Sequence, residues 1–180
     1  MEIIDKYFAD KRKKQLRDLS VIAESDKKIL EYLKKLYFFE INFDKKETQK
    51  YYSKRAGWTL DFIAQNDTKL LSDISTRLIT KAISEDSASD YGTVQLLSNI
   101  DFYDYNYGKL IDICLNISAG SGYSHVHKIY SLRILKKVIL KSPELSREIS
   151  DSLSEPFKHF HAPSLIVAKR EFLKFLDKLS

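Results

Sequence analysis

The sequence predicts an all-α protein made of about four stacked helical hairpins. Three observations carry that expectation. Apolar residues recur with the 3.6-residue period of a helix from end to end, and no convincing stretch alternates with the period of two that a half-buried strand requires. Only 5 Gly and 3 Pro occur in 180 residues, too few for the tight turns of a β-sandwich. A unit of 37 to 38 residues recurs along the chain.

The periodicity places helices at about 2–24, 27–40, 46–65, 68–84, 88–100, 106–118, 124–141, 143–155 and 164–179. The first carries the densest basic run, Lys11, Arg12, Lys13, Lys14 and Arg17, which reads as a solvated helix face. Asp44 with Glu47 three residues later resembles a capping box and starts the helix that holds Trp58. Trp58 lies beside Leu60 and Phe62 and reads as a core anchor. Ile74, Leu78 and Ala82, with Leu71 and Ile83 alongside, form the stripe of the fourth helix. Ser87 and Asp90 give a weaker start for the fifth. In the sixth, Leu110, Cys114 and Ile117 form a stripe flanked by Ile111 and Leu115, and Gly120 and Gly122 stop it. Cys114 on such a stripe is expected to be a buried, inert thiol. Ser142, Pro143 and Glu144 supply a cap, a pre-set φ and a favourable charge for the eighth helix. Leu145, Ile149, Leu153 and Phe157 form its stripe, and Pro156 and Pro163 bracket the last break.

The helices pair, and the pairs repeat. Leu60, Leu97, Leu135 and Leu173 occupy equivalent positions at offsets of 37, 38 and 38. The short connection to each second helix recurs as well, at Asp67–Leu71, Gly108–Ile111 and Pro143–Leu145. A lone hairpin cannot bury both apolar faces, whereas stacked hairpins share one continuous core. From about Lys27 to Lys178 the pattern resembles the HEAT/armadillo-like α-solenoid superfamily. That resemblance implies a right-handed α–α superhelix, a single domain spanning 1–180, and a role in protein binding. More narrowly the chain is similar to small bacterial HEAT-like repeat proteins, some of which carry a transferred adenylosuccinate lyase label. Lyases of that superfamily use a Gly-Ser-Ser-x-Met-Pro-x-Lys-x-Asn loop. The nearest segment here, Ala119-Gly120-Ser121-Gly122-Tyr123-Ser124, lacks its Met, Pro, Lys and Asn, so no such activity is expected.

Charge is segmented. Residues 1–60 carry 15 Lys/Arg against 10 Asp/Glu, residues 61–123 carry 4 against 9, and residues 124–180 carry 11 against 6. Nucleic-acid binding needs basic residues gathered on one face, and the acidic middle argues against it. One Cys excludes an internal disulfide and fits a reducing compartment. No apolar run reaches the roughly 18 residues of a membrane span, and the first ten residues are too charged for a leader. The expected location is cytoplasmic.

No catalytic or cofactor-binding constellation is legible. The Gly120/Gly122 segment has neither a phosphate-loop Gly-Lys-Ser/Thr nor a nucleophile elbow. His125/His127 and His159/His161 form two His-x-His pairs, but no Cys or acid lies beside them, and the pairs read as surface or capping residues. The segment Asp101–Tyr107 sets Phe102, Tyr103, Tyr105 and Tyr107 among acids between two helices, a composition suited to a protein-binding patch. The second helices offer a surface of mixed sign, with Lys69, Asp73, Thr76, Arg77, Thr80, Lys109, Asp112, Asn116, Arg147, Glu148 and Asp151. The expected role is a non-enzymatic interaction module for a protein or peptide. The alternatives are a nucleic-acid binder on a glycosylase-like scaffold and an enzyme of unrecognised class.

Overall fold

The stripes read above become helices wherever each can bury its apolar side against a neighbour. A computed structural model describes residues 2–9, 12–84, 91–101 and 107–179. It is 84% helical, far above the roughly one third of an average globular chain, and no strand occurs among the described residues. The α-helices are α1 (Glu2–Ala9), α2 (Lys13–Ser25), α3 (Lys27–Tyr37), α4 (Lys46–Asn66), α5 (Ser75–Ile83), α6 (Tyr91–Asn99), α7 (Gly108–Ala119), α8 (His125–Lys141), α9 (Ser146–Lys158) and α10 (Pro163–Asp177). Two 3-10 segments, Thr68–Ile74 and Pro143–Leu145, lead into α5 and α9. The residues fall into two compact units, Met1–Ile74 and Ser75–Ser180.

In the first unit, the expected helix over 2–24 is two helices. Arg12 is extended (φ −75°, ψ 136°), and the Phe8 carbonyl accepts from the Tyr51 hydroxyl. The break lets Ile4 and Phe8 on α1 bury together with Leu16, Leu19 and Ala23 on α2. Asp26 caps α3, its carboxylate accepting from the amides of Lys28 (2.8 Å) and Ile29 (3.3 Å). The cap expected from Asp44 is not made: Lys45 stands at the N-cap of α4 and no side chain bonds there. That end of α4 is exposed, so water can serve the amides.

α4 packs on both α2 and α3. Its approach to α3 is set by Gly57, where an added Cβ would meet the Tyr37 ring at 2.8 Å. Ser53 Oγ donates to the Tyr37 carbonyl at 2.9 Å, one turn before Gly57. Trp58 is not the core anchor expected. It is half-buried, and the fully buried residues of α4 are Ala56, Thr59, Leu60 and Ile63. Trp58 therefore sits at the rim of the buried stripe.

In the second unit, α8 packs against α6, α7 and α10, while α5, α7 and α9 lie in sequence beside one another. Leu97 and Leu135 are fully buried on α6 and α8. Ser118 and Ser131 share a buried hydrogen bond of 3.0 Å between α7 and α8, and the Ser118 hydroxyl lies 2.9 Å from the Cys114 carbonyl. Gly120 ends α7 as expected, at a negative φ of −69°; the Tyr123 ring would lie 2.8 Å from a Cβ there, which leaves room only for glycine.

Pro156 does not mark a break. It lies inside α9, which runs on to Lys158, and the turn comes at residues 159–162. Proline deletes one helical hydrogen bond. Phe157 keeps the helix going, because its ring packs edge-on against Phe160 (5.3 Å) and Phe172 (6.0 Å). The expected start signal Ser87/Asp90 lies outside the described residues.

Candidate functional site

Two surfaces and two constrained lysines carry the chemistry that the fold exposes or constrains. The first surface is the outer side of α5, α7 and α9 in the second unit. Each of these helices spends its apolar stripe on the core, Leu78 and Ala82 on α5, Leu110, Cys114 and Ile117 on α7, Ile149 and Leu153 on α9. The polar residues are thereby turned outward. Thr76, Arg77, Thr80, Lys109, Asp112, Asn116, Arg147, Glu148 and Asp151 are all exposed, as the sequence pattern indicates. Because α5 packs on α7 and α7 on α9, these side chains stand side by side as one face of mixed sign.

Of the other second-helix residues, Asp73 belongs to the first unit and is engaged. The Lys34 ammonium, 6% exposed, donates to both of its carboxylate oxygens (2.8 and 2.9 Å) and to Glu31 (2.9 Å). A lysine this deeply buried needs such partners. Sequence reasoning missed it, because Lys34 sits on α3 at a spacing like any surface lysine.

The second surface lies on α2 and α4 of the first unit. These two helices run parallel, and cations lie over ring faces along them. Lys13 (5.8 Å) and Lys54 (5.1 Å) cover Trp58, and Arg17 (5.1 Å) covers Phe62. Lys13, Arg17 and Lys54 are exposed. Part of the basic run near the N-terminus is thus a lid over aromatics as well as a solvated face.

The residues singled out for binding divide. Phe102, Tyr103 and Tyr105 lie outside the described residues. Tyr107 is buried, at 8% exposure, immediately before α7. The histidine pairs sit near the starts of α8 and α10, as the repeat frame places them. His125, His159 and His161 are exposed, while His127 Nδ1 lies 2.8 Å from the Ser124 hydroxyl that caps α8. Among the described residues no three His, Cys, Asp or Glu gather as metal ligands do. Burial pushes the Cys114 thiol far above its ordinary range, so it stays protonated and unreactive. No helix among the described residues is long and apolar enough to cross a membrane.

A family model for the HEAT repeat domain matches residues 12–176. The chain belongs to the HEAT repeat family. The match begins at α2, earlier than the resemblance read from Lys27 onward, and the packing explains why. α2 lies beside α4 as α6 lies beside α8, and its buried Ala23 stands 37 residues before Leu60. α2 and α3 are therefore one more HEAT hairpin. No curated protein and no solved structure matches the chain.

Lys137 is the second constrained lysine. Its ammonium donates to the Ile100 carbonyl at the end of α6. Burial lowers its pKa to about 8; the Asp101 carboxylate opposes that shift and Arg133 adds to it. Capping the carbonyl end of a helix suits a positive charge, and the role is structural.

Proposed function

We propose that this HEAT repeat protein is a non-enzymatic interaction module of the cytoplasm that holds a protein partner on the outer face of α5, α7 and α9. One observation supports the reading best: three adjacent second helices align exposed side chains of both signs, with Arg77, Asp112 and Arg147 at its heart. Mixed charge with hydroxyl and amide groups matches the polar rim of a protein interface better than a phosphate backbone. The aromatic stretch Phe102, Tyr103 and Tyr105 is proposed, from its composition, as an accessory contact for a basic segment of that partner. Tyr107, being buried, anchors the stretch to α7.

The test is site-specific photo-crosslinking in extract of the source cell, with the reactive residue at Asn116 and a control at Leu140, exposed on α8. A partner captured from Asn116 and not from Leu140 is then purified. The expected result is direct binding that weakens at least tenfold in Arg77→Glu/Arg147→Glu. Capture that is equal at both positions, or binding indifferent to the charge reversal, refutes the assignment.

A second reading rests on the Lys13–Trp58–Lys54 and Arg17–Phe62 contacts, an exposed basic strip over half-buried rings able to meet a polyanion. It calls for a gel shift of single-stranded DNA that is lost at high salt and in Lys13→Glu/Lys54→Glu. Absence of any shift at low salt removes this reading.

A further inference from the structure

α10 breaks the burial rule of the other first helices. The repeat positions Leu60, Leu97 and Leu135 are fully buried, yet their equivalent Leu173 is 38% exposed. The departure covers a whole stripe. Shifted by the 38-residue repeat, the buried α8 residues Leu132, Leu135 and Ile139 become Arg170, Leu173 and Asp177. Those three, with Ile166, line a groove of about 290 Å³ whose floor is the buried ring of Phe160. Ile166 is 51% exposed.

Cations surround this apolar pair. Lys169, Arg170 and Lys174 line the groove, against one acid, Asp177. Lys169 is partly spent, lying over the Phe157 ring (5.7 Å) and 3.3 Å from the Phe157 carbonyl. Arg170 and Lys174 are exposed and make no ion pair among the described residues. Two free cations on either side of an apolar anchor favour an occupant that brings carboxylates. They disfavour a second copy of the same helix, which would set Arg170 and Lys174 against themselves. Ile166 and Leu173 stand two turns apart, about 10 Å along the axis, a separation that a helix laid alongside matches with residues spaced i and i+7.

We infer that the outer stripe of α10 is a docking groove for an acidic amphipathic helix of a partner protein, with Ile166 and Leu173 as apolar anchors and Arg170 and Lys174 as its charge readers. The groove uses none of the side chains of the α5–α7–α9 face, so it stands or falls separately from the function proposed above. Its small size suits weak, reversible capture.

The test uses the full chain and two fluorescein-labelled synthetic peptides, each about four turns long. Both carry leucines at i, i+3 and i+7; one is flanked by glutamates and its twin by lysines. The glutamate peptide should bind, and the lysine twin should bind at least tenfold more weakly. Leu173→Asp and, separately, Arg170→Glu/Lys174→Glu should each weaken the glutamate peptide about tenfold with unchanged circular dichroism. Amide shifts on titration should cluster in residues 160–177. No binding at millimolar peptide, equal binding of the twins, or shifts elsewhere overturns the inference. So does a dimer in sedimentation that Leu173→Asp dissociates, which assigns the stripe to a second copy. Binding to vesicles with anionic lipid that the same variants abolish assigns it to a membrane surface, and equally overturns it.

Discussion

Gly57 offers the sharpest test of the packing between α3 and α4. In an exposed helix interior, Gly→Ala stabilises by about 1 kcal/mol, because alanine loses less backbone entropy and has the higher helix propensity. At Gly57 the new methyl would stand 2.8 Å from Tyr37 Cε2 and 3.0 Å from Cδ2. Tyr37 is 2% exposed, its ring meets Phe38 edge-on at 5.1 Å, and its carbonyl is tied to Ser53. The ring cannot swing into solvent, so the helices must part or the ring must leave its rotamer. Overpacking of this kind costs about 1–3 kcal/mol. Subtracting the propensity gain leaves a net loss of about 1 kcal/mol, or roughly 2–4 °C in Tm for a chain of this size. Denaturant melts followed by Trp58 emission report it directly, since Trp58 is the neighbouring residue and the only Trp in the chain. A double-mutant cycle sharpens the test. Tyr37→Leu removes the ring edge, so Gly57→Ala in that background should recover its favourable sign, a coupling of about 1 kcal/mol or more. If Gly57→Ala stabilises the wild-type background, the close approach does not govern this interface and the reasoning fails.

Other outcomes follow from the same geometry. Asp73→Ala should lose about 1–3 kcal/mol in urea melts, because it strips the buried Lys34 ammonium of two of its three bonds. Lys34→Met should be nearly neutral, since its partners Asp73 and Glu31 are 58% and 45% exposed and regain water freely; equal losses for both variants would contradict this. Trp58→Ala should cost about 1–2 kcal/mol, less than the full price of a buried indole, and native emission should already be quenched by iodide, drawn in by Lys13 and Lys54. Stability should rise with pH from about 8, because Lys137 then sheds its proton in the native state while the unfolded lysine keeps its own up to its ordinary 10.5. Above pH 9 the gain should fade, first because the unfolded chain releases the Cys114 thiol proton that burial holds in the native state. Above pH 10 Tyr32 and Tyr52, raised by burial and then by Asp5, act in the same direction. Melts of wild type and Lys137→Met from pH 7 to 11 check both slopes; a smaller rise should remain from Lys136, whose pKa burial also lowers, and a rise of undiminished slope in Lys137→Met would reassign the first.

The fold was legible because helical period, hairpin spacing and repeat length all agree, and each is a local property of the chain. The misreadings arose where solvent or tertiary contacts override local signals. Asp44 and Glu47 have the spacing of a capping box, yet α4 begins at an exposed end where water competes for its amides. Pro156 has the identity of a breaker, yet Phe157 is held by the Phe160 ring of the following turn and the Phe172 ring of α10. Gly57 looks like an ordinary mid-helix glycine until Tyr37, twenty residues earlier, arrives beside it. The exposed side chains of α5, α7 and α9 were readable as the complement of their apolar stripes. The α10 groove was hidden for the opposite reason: Leu173 fits the repeat as well as Leu135 does, and only neighbouring elements decide which of them is covered.

The division into Met1–Ile74 and Ser75–Ser180 bears on how the protein is made. The first unit holds its own core, in which Phe8, Leu16, Leu33 and Leu60 are all buried, and its helices pack on others of that same unit. Helix formation takes microseconds. A ribosome adding about 5–20 residues per second needs roughly 5–20 seconds more to deliver residues 75–180. The leading hairpins therefore have time to close while the rest is still being synthesised. The nascent chain shields its apolar stripes in order of appearance, and its need for chaperone protection falls on the most recently emerged helix.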